Sequence, residues 1–337
     1  MKTKAVRSAS WVESLGLVFV LLCAWLTPAG AGQKVDATLA TVNAPAFLIV
    51  RAESLFTQKV REKTGGGLTI NVVASGALGG QKENFEAVMA GNLEMAQFNN
   101  AILSALYPPA TLFDLPFVFR DIEHMRHVVR GPIGQQVYGE FEKRTGIKVL
   151  MAGLPDGPRS VWNRRRPIRT PEDLKGLKIR VMESPVMIDT FKALGAIPTP
   201  MAYTELYMAA KQGVIDGAET PPYALTDQKA PEVAKYYSLT KHFTMPSGLG
   251  VNAKWYNALS PEYKKALLEA AEEARAWYDE QYDAVNIAAL AEAKQLGMEV
   301  NEVTDIEQFR KAVAPVYDKY ADQVGGRKMI QTAIDTK

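Results

Sequence analysis

Apolar and polar positions along this chain fall into two alternating rhythms. Residues 37–42 (ATLATV) read as a strand. From Phe47 to Thr64 the apolar positions Phe47, Val50, Leu55, Phe56 and Val60 recur at helical spacing, and Gly65-Gly66-Gly67 stops the run. Residues 68–73 form a second strand, Gly76 to Gly80 a loop, 83–90 a helix ended by Gly91, and 93–97 a third strand. Strands alternating with helices predict an α/β fold with a largely parallel sheet.

The pattern continues toward the C-terminus. Pro116 tells against a central strand in the aromatic block 113–119. Arg120 and Asp121 lead into a helix that ends near Gly131-Pro132; a second covers 133–143, and 147–151 and 160–163 read as strands. Thr170 can cap a helical turn, with Pro171 at its first position and Glu172 and Asp173 facing the positive end of its dipole. In the strand 177–181, Leu177, Ile179 and Val181 point one way, Lys178 and Arg180 the other. Helices follow from Ser184-Pro185 to Gly195 and over 203–212, then a short strand and turn at 214–218. Pro221-Pro222 opens another helix, and a very long one, capped by Ser260, runs over 261–295.

The first 31 residues have the pattern of an export signal. Lys2, Lys4 and Arg7 precede the apolar run 15–26, and Ala29-Gly30-Ala31 offers a cleavage site after Ala31. A bilayer span needs roughly 20 apolar residues, more than this run supplies. Cys23, the only cysteine, lies inside it behind bulky Val20-Leu21-Leu22, which disfavours a lipid anchor there. The mature chain of roughly 305 residues is long enough for two domains. It lacks cysteine, which excludes disulfides, thiolate metal sites and cysteine nucleophiles. Without Lys2, Lys4, Arg7 and Glu13, the 39 basic and 37 acidic residues become 36 of each. That balance argues against nucleic acid or an anionic membrane as partner.

Little points to catalysis. There is no G-x-S-x-G elbow, and Gly76 to Gly80 does not match a phosphate loop, so neither catalytic residues nor cofactor are expected. His124 and His127 at i,i+3 spacing read as a solvated helix face and His242 stands alone, so no metal site is expected. Arg164, Arg165 and Arg166 read as a solvated run.

Five segments, taken in order, resemble the extracytoplasmic binding proteins of tripartite ATP-independent periplasmic (TRAP) transporters. They are FEAVMAGNLEMAQ (85–97), LFDLPFVFRD (112–121), RTPEDLKGLKIRV (169–181), LGAIPTPMAYTELYMAAKQGVIDGAET (194–220) and LSPEYKKALLEAAEEA (259–274). The resemblance implies a periplasmic binding protein fold of two α/β domains, joined by crossing hinge strands and braced by one long helix. Residues 33–156 plus 247–285 would form ligand-binding domain I, and 157–246 plus 286–337 domain II. A small organic acid would be captured by cleft closure and delivered to the membrane subunits, by a protein that is a monomer by default.

The resemblance also implies a site. Arg180 falls where the family pairs an arginine with the ligand carboxylate, and its place on the polar face of an alternating strand suits that role as well as a surface ion pair with Glu183 or Asp173. Arg159 matches a second family arginine, and Tyr203 an aromatic beside the ligand, with Tyr207 one helical turn on. Thr220 departs from the pattern, since many members carry asparagine after the glutamate that is here Glu219. Asn43, Gln81, Asn99 and Asn100 fall where the other domain meets the ligand. Two arginines imply an anion, and the tyrosines, Thr220, Glu219 and the amides imply hydroxyls, so a sugar acid is expected. The alternatives are a C4-dicarboxylate or other carboxylate, and a binding protein serving a sensor or an ATP-driven importer.

Overall fold

The computed structural model describes residues 34–337; the signal segment and Cys23 lie outside the described residues. The strands are β1 (Val35–Ala40), β2 (Leu68–Val73), β3 (Met95–Asn99), β4 (Ile147–Asn163), β5 (Lys178–Val181), β6 (Ile197–Pro200), β7 (Gly217–Thr220), β8 (Tyr236–Asn252) and β9 (Glu299–Glu302). The helices are α1 (Leu48–Lys63), α2 (Gln81–Ala90), α3 (Asn100–Leu106), α4 (Ile122–Arg130), α5 (Pro132–Thr145), α6 (Pro185–Ala193), α7 (Leu206–Lys211), α8 (Ala230–Val233), α9 (Ala253–Ala258), α10 (Pro261–Gln295), α11 (Ile306–Tyr320) and α12 (Gly326–Asp335).

All these strands join one mixed sheet, ordered β2-β1-β3-β8-β4-β7-β5-β6, with β9 also on β8. The expectation of a largely parallel sheet is corrected at its centre. There β3–β8, β8–β4 and β4–β7 are antiparallel, while the flanking pairs are parallel. Residues 147–151 and 160–163, expected as two strands, are the ends of one 17-residue strand, β4. Its antiparallel partner β8 is equally long, and the pairing shifts register between Leu150 and Leu154 and again around Arg159. Just past the first irregularity Pro155 lies opposite Pro246, so two residues that cannot donate to a ladder face each other.

Helix α10 packs against α1 and braces the middle of β4. Ser260 caps it, accepting from Tyr263 N–H. Its first half buries small residues, Ala270, Ala271 and Ala274, in one core cluster with Phe56 and Val60 of α1. Further along, Tyr278 donates to the carbonyl of Pro155 at 2.9 Å, and Tyr282 accepts from Gly157 N–H at 3.0 Å while donating to the Gly157 carbonyl. Two neighbouring rings thus hold the β4 segment that carries Asp156 and Arg159.

Several local readings shift. Residues 203–212 split into a 3-10 turn (Tyr203–Glu205) and α7, and 222–224 form one 3-10 turn. Thr170 and Asp173 do form a reciprocal capping box, over a single 3-10 turn. His124 is buried rather than solvated: Nδ1 accepts from Arg120 N–H at 3.1 Å and Nε2 lies 2.9 Å from the carbonyl of Ala333.

Candidate functional site

The C-terminal ends of β1, β3, β5 and β7 converge on one cavity, the usual position for a ligand in an α/β sheet. It holds about 740 Å³ of empty space including its mouth, the size of a small-molecule site. Its walls draw on both flanks of the β4–β8 pair. Asn43, Gln81, Gln97, Asn99 and Ser247 lie on the β1–β3 side, and Arg180, Met201, Tyr203 and Thr220 on the β5–β7 side.

Arg180 reaches the cavity through the parity of β5. Leu177, Ile179 and Val181 are buried on the apolar face, and Lys178, on the other, is exposed. Arg180 shares that second face, yet only 3% of it is accessible. Its guanidinium donates from Nε and Nη2 to the carbonyl of Met201, at 3.0 and 2.7 Å. Among the described residues no carboxylate lies within ion-pair distance of it; Glu183 and Asp173, the surface partners considered from sequence, do not pair with it. Desolvation lowers its pKa to about 10, against the more distant negative charge of Glu219.

Arg159, on β4, is held differently. Its Nε and Nη2 grip the carboxylate of Glu219 at 2.6 and 2.7 Å, Nη2 also meets the Glu219 carbonyl at 3.0 Å, and Nη1 meets Asp156 at 2.7 Å. Glu219 is itself fully buried on β7, opposite Val161. Despite burial, the neighbouring Arg159 guanidinium, helped by His242 Nε2 at 3.5 Å, holds its carboxyl down at about 2. Burial in turn lowers the pKa of the His242 imidazole, against the pull of Glu219, and its Nδ1 meets Thr240 Oγ1 at 2.7 Å.

The remaining walls are polar and mostly neutral. Tyr203 donates to Asp227, and Tyr223 donates to Asp156 at 2.9 Å while its ring packs 5.0 Å from Phe47. Thr220 Oγ1 accepts from Gln228 at 2.9 Å, so this hydroxyl is tied to a neighbouring amide. Gln81 and Gln97 bond to each other at 2.6 Å. Asn99 Oδ1 is buried without a partner.

Of the residues singled out from sequence, Arg180, Arg159, Tyr203, Thr220, Asn43, Gln81 and Asn99 line the cavity. Three do not. Glu219 stands behind Arg159, Asn100 is turned into the core to donate to the carbonyl of Ala110 at 2.8 Å, and Tyr207 bonds to Glu232 at 2.6 Å outside the cavity. Sequence reasoning missed Gln97, Asp156, Tyr223, Gln228 and Ser247. Asp156 alone carried a usable signal, an acid three positions before a candidate arginine on the same strand. Arg165 pairs with Asp216 at 2.7 Å, and Arg166 donates to the carbonyls of Asp173 and Lys175; none of the three consecutive arginines lines the cavity.

Known proteins share this fold. The model of the bacterial extracellular solute-binding proteins, family 7, matches residues 39–323. A solute-binding protein of Chromohalobacter salexigens is 31% identical over 324 residues, spanning 95% of this chain and 94% of its own. The crystal structure of a TRAP periplasmic solute-binding protein from Roseobacter denitrificans, with bound β-D-glucuronate, matches with a TM-score of 0.86 at 34% identity, covering 90% of this chain and 100% of that one. Another from a Polaromonas species, bound to D-erythronate, gives 0.86 at 32% identity, covering 90% and 99%. With the family matched across nearly all the described residues and its fold reproduced over the full length of solved members, this chain belongs to the family 7 extracellular solute-binding proteins, the periplasmic, non-enzymatic binding components of TRAP transporters.

Proposed function

We propose that the protein captures a sugar acid, an aldonate or uronate, through its carboxylate on Arg180. The observation that carries this is the buried guanidinium of Arg180, which faces the cavity with no described carboxylate within ion-pair distance. A ligand carboxylate would supply the missing charge in the bidentate geometry that guanidinium favours. The neutral amides and hydroxyls opposite suit a polyhydroxylated body, and relatives with bound glucuronate and erythronate support the same class. Arg159 has one Nη1 hydrogen left for the ligand, with Tyr203 forming a wall. Of the other sequence candidates, Glu219 supports Arg159, while Asn100 and Tyr207 act outside the cavity.

Capture proceeds by closure of two domains, 33–156 plus 247–285 over 157–246 plus 286–337, bending where β4 and β8 lose register. The chain is exported with cleavage near Ala31, and the closed form delivers its ligand to the membrane subunits of the transporter.

The test is a thermal-shift screen of the exported protein against aldonates, uronates, other organic acids, amino acids and neutral sugars. A ligand at 100 times its Kd adds about 2.7 kcal/mol of stability. Shifts by hydroxylated carboxylates but not by their neutral sugars support the reading. Shifts by neutral or cationic ligands alone remove Arg180 as the anchor.

A further inference from the structure

We infer that the cavity admits one ligand carboxylate and rejects a second, because Asp156 and Glu219 occupy Arg159 and leave Arg180 as the one described guanidinium there with no carboxylate in contact. This rests on Arg180 as the carboxylate anchor and adds what the rest of the cavity selects.

The two arginines look equivalent in the sequence, and a pair of them suggests room for a dianion. Their surroundings differ. Arg159 has five N–H bonds, and four point at Glu219 and Asp156: Nε and Nη2 at the Glu219 carboxylate, Nη2 at the Glu219 carbonyl and Nη1 at Asp156. Two carboxylates meet one guanidinium, so this group carries a surplus negative charge. All three side chains are buried, with exposures of 4%, 10% and 0% for Arg159, Asp156 and Glu219, so water screens that surplus poorly. Asp156 also borders the cavity directly.

The opposite wall offers a second anion no buried cation. Asn43, Gln81, Gln97, Asn99 and Ser247 are uncharged. The unpartnered Oδ1 of Asn99 is an acceptor, which calls for a hydroxyl or amide N–H from the ligand and repels a carboxylate. The other charged lining groups, Lys82, Glu83 and Glu183, are exposed, and two of the three are acidic. A sugar acid with one carboxylate satisfies Arg180 and presents hydroxyls to Asn99 and the amides. Its oxidised counterpart, with a carboxylate at each end, places the second charge between Asp156 and Asn99 Oδ1.

The test compares ligands of one skeleton by calorimetric titration of the exported protein. The pairs are D-glucuronate against D-glucarate and D-erythronate against meso-tartrate, with the monoamide of glucarate as a control of equal size and lower charge. The better-bound monocarboxylate is expected to exceed its dicarboxylate by about 100-fold, the monoamide recovering most of that loss. In E219Q and D156N, which uncover charge on Arg159, the ratio is expected to narrow by about tenfold. Comparable affinity for both members of a pair overturns the inference and leaves the organic-acid reading intact. So does a ratio that the monoamide does not relieve, which assigns the rejection to size even where neither variant folds. Failure of every acid to bind overturns the carboxylate reading, and this inference with it.

Discussion

Arg180 donates twice to a single carbonyl, that of Met201, at 3.0 and 2.7 Å. A carbonyl satisfies N–H groups without cancelling charge, so Arg180 is a hydrogen-bonded cation at 3% exposure with no described carboxylate in contact. The fold tolerates this cost at the place where a carboxylate ligand would remove it.

Replacing Arg180 by methionine should therefore separate stability from binding. The R180M protein is expected to be at least as stable as wild type without ligand, by roughly 1–3 kcal/mol, since a buried unpaired charge gives way to an apolar chain of similar length. Ligand affinity should fall by at least about 100-fold, the worth of two charged hydrogen bonds. Urea unfolding and calorimetry measure the two effects. R180M binding near wild-type strength would dismiss Arg180 as the anchor.

The arginine was legible in the sequence, and its surroundings were not. Alternation over 177–181 placed Arg180 opposite Ile179, but a period of two cannot tell a solvated face from a cavity wall. Likewise α10 was legible end to end, since Ser260 and Pro261 mark its start and 35 residues run without a breaker. The long strand β8 went unrecognised, because burial across most of its length removes the alternation and Pro246 argues against a central strand. The partners of Arg159 were hidden for another reason. Glu219 lies 60 residues away, and only the β4–β7 pairing brings it alongside.

Glu219 should make the protein acid-sensitive in a defined window. Its carboxyl is held at about 2 in the folded state, below the ordinary 4.5. A depressed carboxyl contributes stability that is present above the unfolded value and is lost as pH falls through the folded one. Stability is therefore expected to drop by roughly 3 kcal/mol between pH 4.5 and about 2 on account of this group. The E219Q variant should lack that component, starting lower at pH 7 and falling less. Equal acid slopes for E219Q and wild type, by urea unfolding across this range, would refute the assignment.

Asp114 works in the opposite sense and in a separate window. It is fully buried below α3, its Oδ2 accepts from Ser104 at 2.5 Å, and its Oδ1 has no partner among the described residues. Burial raises its carboxyl to about 7, against the hydrogen bond from Ser104, the nearby Asn100 amide and the attraction of Arg159. Between 3.8 and about 7 the folded state keeps a proton that the unfolded chain has released, so stability declines as pH rises through this interval. The D114N variant supplies a permanently neutral group of the same shape. It is expected to gain roughly 2–4 kcal/mol over wild type at pH 8 and almost nothing at pH 4. A constant difference at both pH values would show that Asp114 does not titrate in this range.

Gly76 tests closure itself. Its φ of +67° is a conformation that costs an L side chain about 1 kcal/mol wherever the loop stands. A Cβ there would also lie 2.8 Å from Thr204 Cγ2, and Thr204 adjoins Tyr203 on the other rim of the cavity. The backbone cost is paid in every state, but the clash arises only where the two rims meet. The G76A variant is therefore expected to lose about tenfold in affinity, mostly through faster dissociation, while unliganded stability falls by only about 1 kcal/mol. The double variant G76A/T204S removes the obstructing methyl and should recover most of the affinity without recovering the stability. Stopped-flow release of ligand reads the first effect and urea unfolding the second. Should T204S restore neither affinity nor release rate, the contact between Gly76 and Thr204 plays no part in holding the cavity shut.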